Sequence, residues 1–393
     1  MTDTLTTPAR AAVVVPDDAA SIARNATLDD LADALQRQHD AKVDMVAPAR
    51  CLRSVLGNLV VSGADPVLTD NGVTLADGTY RPTTVADEGI ADKLRIPLAY
   101  LRRMRNELPG LYDENVNAWL RQEPERRFLL RAFRGDDASG APGVLRALLS
   151  DSYKRIDNYD VLIAALSGIQ EAGQEVTITG CDLTERRMIV RVESDAVRVL
   201  APQLLKGYRS PFDQRSGDEL PIVSAGFVLA NSEVGSGAFS ITPRIVVQVC
   251  RNGMTVPQDA MRAVHMGAKL EEGVIRWSGD TDDKNLALVT AQARDVVTTF
   301  LDRAYVERKL ADIERAAGRE IADPAKTVET IAKKLRFTED VRSSVLNHFI
   351  RGGQTTAGGI LHAVTSVAQT LSDADAAYEL EAQGLAAMQL AAA

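Results

Sequence analysis

A chain of 393 residues with 45% hydrophobic and 25% charged residues has an ordinary globular composition. It is long enough for two or three domains, or for one core with helical additions. The formal net charge of −9 excludes a generally basic nucleic-acid coat and leaves only a local basic groove on an acidic body.

Residues 1–27 are rich in Thr, Ala, Asp and Pro and read as a flexible arm around one short apolar run at 11–15. Thr27 can cap a helix over 27–39, whose stripe is Leu28, Leu31, Ala32, Ala34 and Leu35. Residues 51–61 fit a strand or a short helix, and 70–80 carry two turn signals flanking a short strand. Helices are predicted over 84–94 and 97–107, with Pro97 in a first turn and Pro109-Gly110 as the stop. A further short helix covers 115–121.

From Arg127 the pattern turns to β, with strands at 128–133 and 144–149 around a loop at 135–143. Asp157 or Asn158 can cap a helix over 159–172 that Gly173 stops. Residues 175–179 and 188–193 read as a β-pair, 202–219 as a long polar loop, and 222–229 and 239–250 as strands. From Leu286 onward the spacing is helical, with a break at Pro324 and a Gly- and Thr-rich link at 352–359. The expected organisation is an arm (1–27), a mainly helical N-terminal region (28–125), an α+β core (126–280) and a helical C-terminal region (281–393). The fold class is α+β, with a central, mostly antiparallel sheet and packed helices.

Three segments carry candidate chemistry. In the first, a strand runs through Arg146 and Ser150-Asp151 into Tyr153-Lys154-Arg155 and the cap at Asp157-Asn158. Lys and Arg neutralise phosphates and Tyr offers a stacking face, although a cap, a surface pair and a half-buried ring explain the same residues. The second is the Gly- and Ser-rich turn at 231–237, with Asn231, Ser232 and Gly235. It suits either an anion-presenting loop or a plain hairpin connection. The third runs from Arg244 through Cys250-Arg251-Asn252-Gly253 to His265. Ile245, Val247 and Val249 are expected on one strand face, and Val246, Gln248 and Cys250 on the other. A thiolate–imidazole pair of Cys250 and His265 is one reading, and a buried structural thiol is the other.

The cysteines Cys51, Cys181 and Cys250 are far apart and odd in number, which argues against a disulfide framework and for a reducing cytoplasm. The histidines His39, His265, His348 and His362 are scattered without ligand spacing, so no metal or other cofactor is expected. No apolar run is long enough for a membrane span and no leader is read, so a soluble cytoplasmic chain is expected.

The set Arg146-Ala147, Leu149-Ser150-Asp151, Tyr153, Asp157-Asn158, Asn231 to Gly237, Cys250 to Met254 and His265-Met266-Gly267 resembles a family of phage- and plasmid-borne proteins, domain of unknown function 932. The likeness runs from about Ile90 to the C-terminal helix and includes 115–120. It implies a mobile-element setting and an α+β core, and carries over no catalytic residue. A looser, fold-level likeness joins the strand, the Tyr153 turn, the helix and the following β-pair to phage single-strand annealing proteins, which form oligomers that hold single-stranded DNA along a basic groove.

Three functions follow as expectations. The first is a non-enzymatic binder of single-stranded DNA acting in recombination or replication. Its contacts would be Tyr153, Lys154, Arg155, Arg186, Arg187, Lys206, Tyr208, Arg209 and Arg215. The second is a structural or host-interaction protein, a homo-oligomer whose face is the stripe Phe300, Leu301, Tyr305, Leu310 and Ile313, unless that stripe packs on the chain's own core. The third is a hydrolase with a polar site around Asn231, Arg244, Cys250, Asn252 and His265.

Overall fold

The computed structural model describes residues 22–69, 72–135, 139–153, 156–263 and 279–393. The first third runs β1 (Ile22–Ala26), α1 (Leu28–Ala41), β2 (Lys42–Pro48), β3 (Leu52–Val55), β4 (Asn58–Val61), β5 (Val67–Thr69), β6 (Gly72–Thr74), β7 (Gly78–Pro82), α2 (Thr84–Leu94), α3 (Leu98–Glu107) and α4 (Pro109–Gln122). The middle continues with β8 (Arg127–Phe133), β9 (Gly143–Ser150), α5 (Asn158–Glu171), β10 (Thr177–Leu183), β11 (Met188–Leu200), α6 (Pro202–Leu205), β12 (Ile222–Asn231), β13 (Phe239–Val247), β14 (Gly253–Thr255) and β15 (Met261–Ala263). The last third is helical: α7 (Gly279–Phe300), α8 (Arg303–Ala317), α9 (Pro324–Leu335), α10 (Glu339–Gly352), α11 (Ala357–Thr370), α12 (Ala374–Ala382) and α13 (Gly384–Ala392).

The fold is mixed α and β, 48% helical and 27% strand, with an antiparallel sheet and a helical C-terminal region. The larger sheet has the order β1-β10-β11-β12-β13-β14, with β15 also on β13. Side chains alternate across it. Val190 and Val192 of β11, Phe227 and Leu229 of β12, and Ile241 and Ile245 of β13 enter one core with α1, α5, α7 and α8. Their neighbours in register, Arg191, Val228, Thr242 and Arg244, belong to the opposite face.

The smaller sheet, in the order β2-β8-β9-β7-β4-β3, was not expected. It draws β2, β3, β4 and β7 from the region read as mainly helical and β8 and β9 from the expected core, so a boundary near 125 cuts through one sheet. Its strands are short and pair over long separations, as in Lys42 with Phe133 and, in parallel, Tyr80 with Gly143. Helices α2, α3 and α4 cover one face through Ile90, Leu101, Tyr112 and Val116. The other face, with Lys42, Asp44, Arg131 and Arg146, meets the larger sheet.

Local signals explain most element ends. Thr27 and Asp30 form a reciprocal capping box at α1. Pro109 opens α4 at its first turn, so α4 is longer than the helix read over 115–121. One further expectation is corrected: residues 22–26 of the supposed arm form β1, whose Arg24 donates to the Ala368, Gln369 and Leu371 carbonyls and so caps the C-terminus of α11. Of the two readings of the stripe Phe300, Leu301, Leu310 and Ile313, packing on the chain's own core is the one found, with Tyr305 against it. Among the described residues no helix is long and apolar enough to cross a membrane.

Candidate functional site

The two sheets meet at a buried charge network. Arg131 lies mid-strand in β8 with 0% exposure. Its guanidinium donates to Asp44 Oδ2 at 2.9 Å, to Asp157 Oδ1 at 2.5 Å and to the Glu233 carbonyl at 2.9 Å. Arg146, which the β8–β9 register skips, donates to Glu233 Oε2 at 2.8 Å, and Lys42 Nζ donates to Asp157 at 2.6 Å. Three cations thus face three carboxylates in one interior cluster. Burial alone would raise the Asp157 carboxyl, but Arg131 and Lys42 outweigh it and hold it well below the ordinary range. Burial likewise opposes ionisation of Glu233, and Arg146 and Arg131 overcome it.

Most of the motif residues converge here. Glu233 accepts the Asn158 N–H at the start of α5 at 2.9 Å, and Asn231 donates to Asn158 Oδ1 at 2.8 Å. The Tyr153 hydroxyl lies 3.4 Å from the Ser232 carbonyl, and burial pushes it up to about 12. The loop after β12 is pinned by Ser232 Oγ, which accepts the Ser236 N–H at 3.0 Å. Gly235 has φ +86°, a left-handed conformation that favours glycine, and it abuts Leu149. Arg131, Asp44 and Lys42 were not singled out in sequence. A lone Arg inside the apolar run Phe128–Leu129–Leu130–Arg131–Ala132–Phe133 was the available signal, because a charge there needs buried partners.

Beside this joint lies a cleft of about 340 Å³, within the roughly 300–1,000 Å³ range typical of ligand sites. Ser240, Thr242 and Thr255, all from the second face of the larger sheet, line it. Asn231, Ser232, Ser236 and Gly237 come from the β12–β13 connection, Tyr378 and Ala382 from α12, and Arg187 and Arg262 supply cations. Thr255 Oγ1 is buried without a hydrogen-bond partner. Arg187 stacks over the Tyr378 ring at 5.4 Å, and no described carboxylate pairs with the exposed Arg262. This lining of hydroxyls and guanidiniums suits a ligand rich in acceptor oxygens.

The remaining expected contacts scatter. Arg186 donates to Glu88 at 2.7 Å, tying the β10–β11 turn to α2. Lys206, Arg209 and Arg215 are exposed beyond the far end of β11, whose 13 residues span about 40 Å at ~3.3 Å each. They do not line the cleft that Arg187 enters. Tyr208 is 2% exposed and stacks on His362 at 4.1 Å, so it offers no face to a base. Lys154, Arg155 and His265 lie outside the described residues.

Cys250 belongs to the same interior cluster as Tyr208. β13 ends at Val247, so the alternation stops and Val249 and Cys250 both enter the core. Burial pushes the thiol up to about 11, the reverse of an activated nucleophile. Asn252 donates to Tyr208 Oη and to the His362 carbonyl, each at 3.4 Å, and Gln369 donates to Asn252. His362 is driven by burial down to about 4 and is a neutral packing group. Of the two readings of Cys250, the geometry favours the buried structural thiol. Alkylation of the native protein at pH 8 is expected to label the half-exposed Cys51 well before Cys250, read by peptide mass spectrometry; equal rates would contradict the burial of Cys250. Among the described residues no group of three His, Cys, Asp or Glu side chains is placed to hold a metal ion.

Comparison of the chain with family models, with curated proteins and with solved structures finds no match.

Proposed function

We propose that the protein binds single-stranded DNA, with one phosphodiester-linked nucleotide entering the cleft beside the two-sheet joint. One observation carries this reading: a cleft whose lining combines hydroxyls, two guanidiniums and an aromatic ring, with the Thr255 hydroxyl unpartnered. Phosphate oxygens accept from hydroxyls and guanidiniums, and a base can stack on a ring beside a cation. The role is binding, in recombination or replication, the setting that goes with the motif set resembling mobile-element proteins. The compartment we propose is the reducing cytoplasm, supported by three free cysteines.

The contact set is smaller than the sequence suggested and is centred on Arg187, Arg262, Ser236 and Tyr378. A labelled oligo-dT titrated by fluorescence anisotropy at low salt is expected to bind, with affinity falling as salt rises. Arg262→Glu is expected to weaken binding roughly tenfold, about 1.4 kcal/mol. Absence of binding at low salt, or equal affinity in Arg262→Glu, would overturn the proposal. Light scattering with and without DNA reports whether copies of the chain assemble on the strand.

A further inference from the structure

Arg187, the more enclosed cation of the cleft, is already engaged. Its Nε lies 2.7 Å from Asp375 Oδ1 and its Nη2 donates to Glu379 Oε1 at 3.0 Å, while its guanidinium stacks over Tyr378. These three residues occupy positions i, i+3 and i+4 of α12 and so form one helix face against the cleft. Two carboxylates therefore converge on one guanidinium. The Arg187 and Asp375 side chains retain only about 15% exposure, so water screens this excess of negative charge poorly. Asp373, the N-cap of α12, adds like charge at the same end. Burial raises the Asp375 carboxyl despite its ion pair, which means Arg187 does not fully compensate its desolvation.

One hydrogen-bonded carboxylate oxygen, from Glu379, and one ion-paired oxygen, from Asp375, stand at the guanidinium where the two unbridged oxygens of a phosphodiester could sit. We infer that Arg187 is the phosphate subsite of the cleft, and that Asp375 and Glu379 of α12 hold it until a nucleic-acid phosphate displaces them. This rests on the reading of the cleft as a DNA site. The α12 helix stays docked through Glu381, which pairs with Arg244.

The test compares oligo-dT affinity at low salt in four full-length proteins: wild type, Asp375→Asn with Glu379→Gln, Arg187→Gln, and the combination of all three. Neutralising the carboxylates while keeping their shape is expected to tighten binding roughly fivefold or more. That gain must vanish in the triple variant, because it acts through Arg187. If the wild type binds and the double variant binds equally or more weakly, the inference fails and the cleft reading stands. A gain that persists without Arg187 is a general charge effect and also overturns it. No binding by any of the four overturns the cleft reading together with the inference. Thermal melting checks the fold. If the double variant does not fold, Glu379→Gln alone, at a largely exposed side chain, is expected to tighten binding about twofold; no change there counts against the inference.

Discussion

Arg131→Met is expected to destabilise the protein by about 3–5 kcal/mol at neutral pH, because it removes the central cation from a cluster of buried carboxylates. Arg131 has 0% exposure and faces Asp44, Asp157 and Glu233. Lys42 and Arg146 remain after the substitution, beside Asp157 and Glu233. Met matches the length of the aliphatic stem, so the loss reports the guanidinium and not a cavity. Arg131→Lys keeps one charge without the fork and is expected to fall between the two.

The same substitution carries a pH signature. The Asp157 and Glu233 carboxyls are held below their ordinary values in the folded protein. Their contribution is complete above the unfolded carboxyl range near pH ~4 and is lost as pH falls through that range toward the depressed folded values. Wild type is therefore expected to lose stability steeply on acidification below about pH 4. Arg131→Met has already lost the main partner that depresses Asp157, so its curve is flatter. Urea unfolding at pH 7 and at pH 3.5 measures both effects. A gap between wild type and variant that stays constant with pH, or that is below about 1 kcal/mol at pH 7, would show that the network contributes little.

The parts of this arrangement that local sequence encodes were legible. Thr27 caps α1 as read, by chemistry that needs only three neighbouring residues, whereas Asp157 holds the N-cap position of α5 with its side chain turned to Arg131 and Lys42, and Pro109, read as a stop, opens α4. The expected helix over 84–94 and the strands around 128–133, 144–149 and 222–229 recur with ends shifted by a residue or two. The smaller sheet was not legible, because β3, β4 and β7 have only four or five residues each and the pairing of β2 with β8 closes a long loop. Arg146, Asp157, Asn158, Asn231, Ser232 and Glu233 stood out as a set, yet their meeting point depends on Arg131 and Asp44, which alternation alone would place on either face. Tyr208 shows the opposite error. The neighbours Lys206 and Arg209 give it a surface look, while His362, far along the chain, buries it.

Gly253→Ala is expected to cost about 3 kcal/mol, although Asn252-Gly253 reads in sequence as a simple turn. The turn lies earlier, at residues 248–251, where Arg251 takes φ +58°, and Gly253 is the first residue of β14 without a left-handed φ. Alanine is therefore acceptable to the backbone, and the cost comes from space. A Cβ on Gly253 would stand 2.0 Å from Arg244 Nε and 2.1 Å from its Cζ. Arg244 crosses this glycine to reach Glu381 Oε1 at 2.6 Å, the buried pair that fixes α12 to the larger sheet. Pushing the guanidinium aside leaves both charges buried and unmatched. The comparison that isolates this cause is Gly253→Ala in an Arg244→Met, Glu381→Leu background. That double replacement is itself expected to be near neutral, since apolar side chains of similar size can substitute for a buried ion pair. There the alanine is expected to cost less than about 1 kcal/mol, so the effects are strongly non-additive. Equal costs in the two backgrounds, measured by urea unfolding, would place the penalty in the backbone of β14 and remove Arg244 from the explanation.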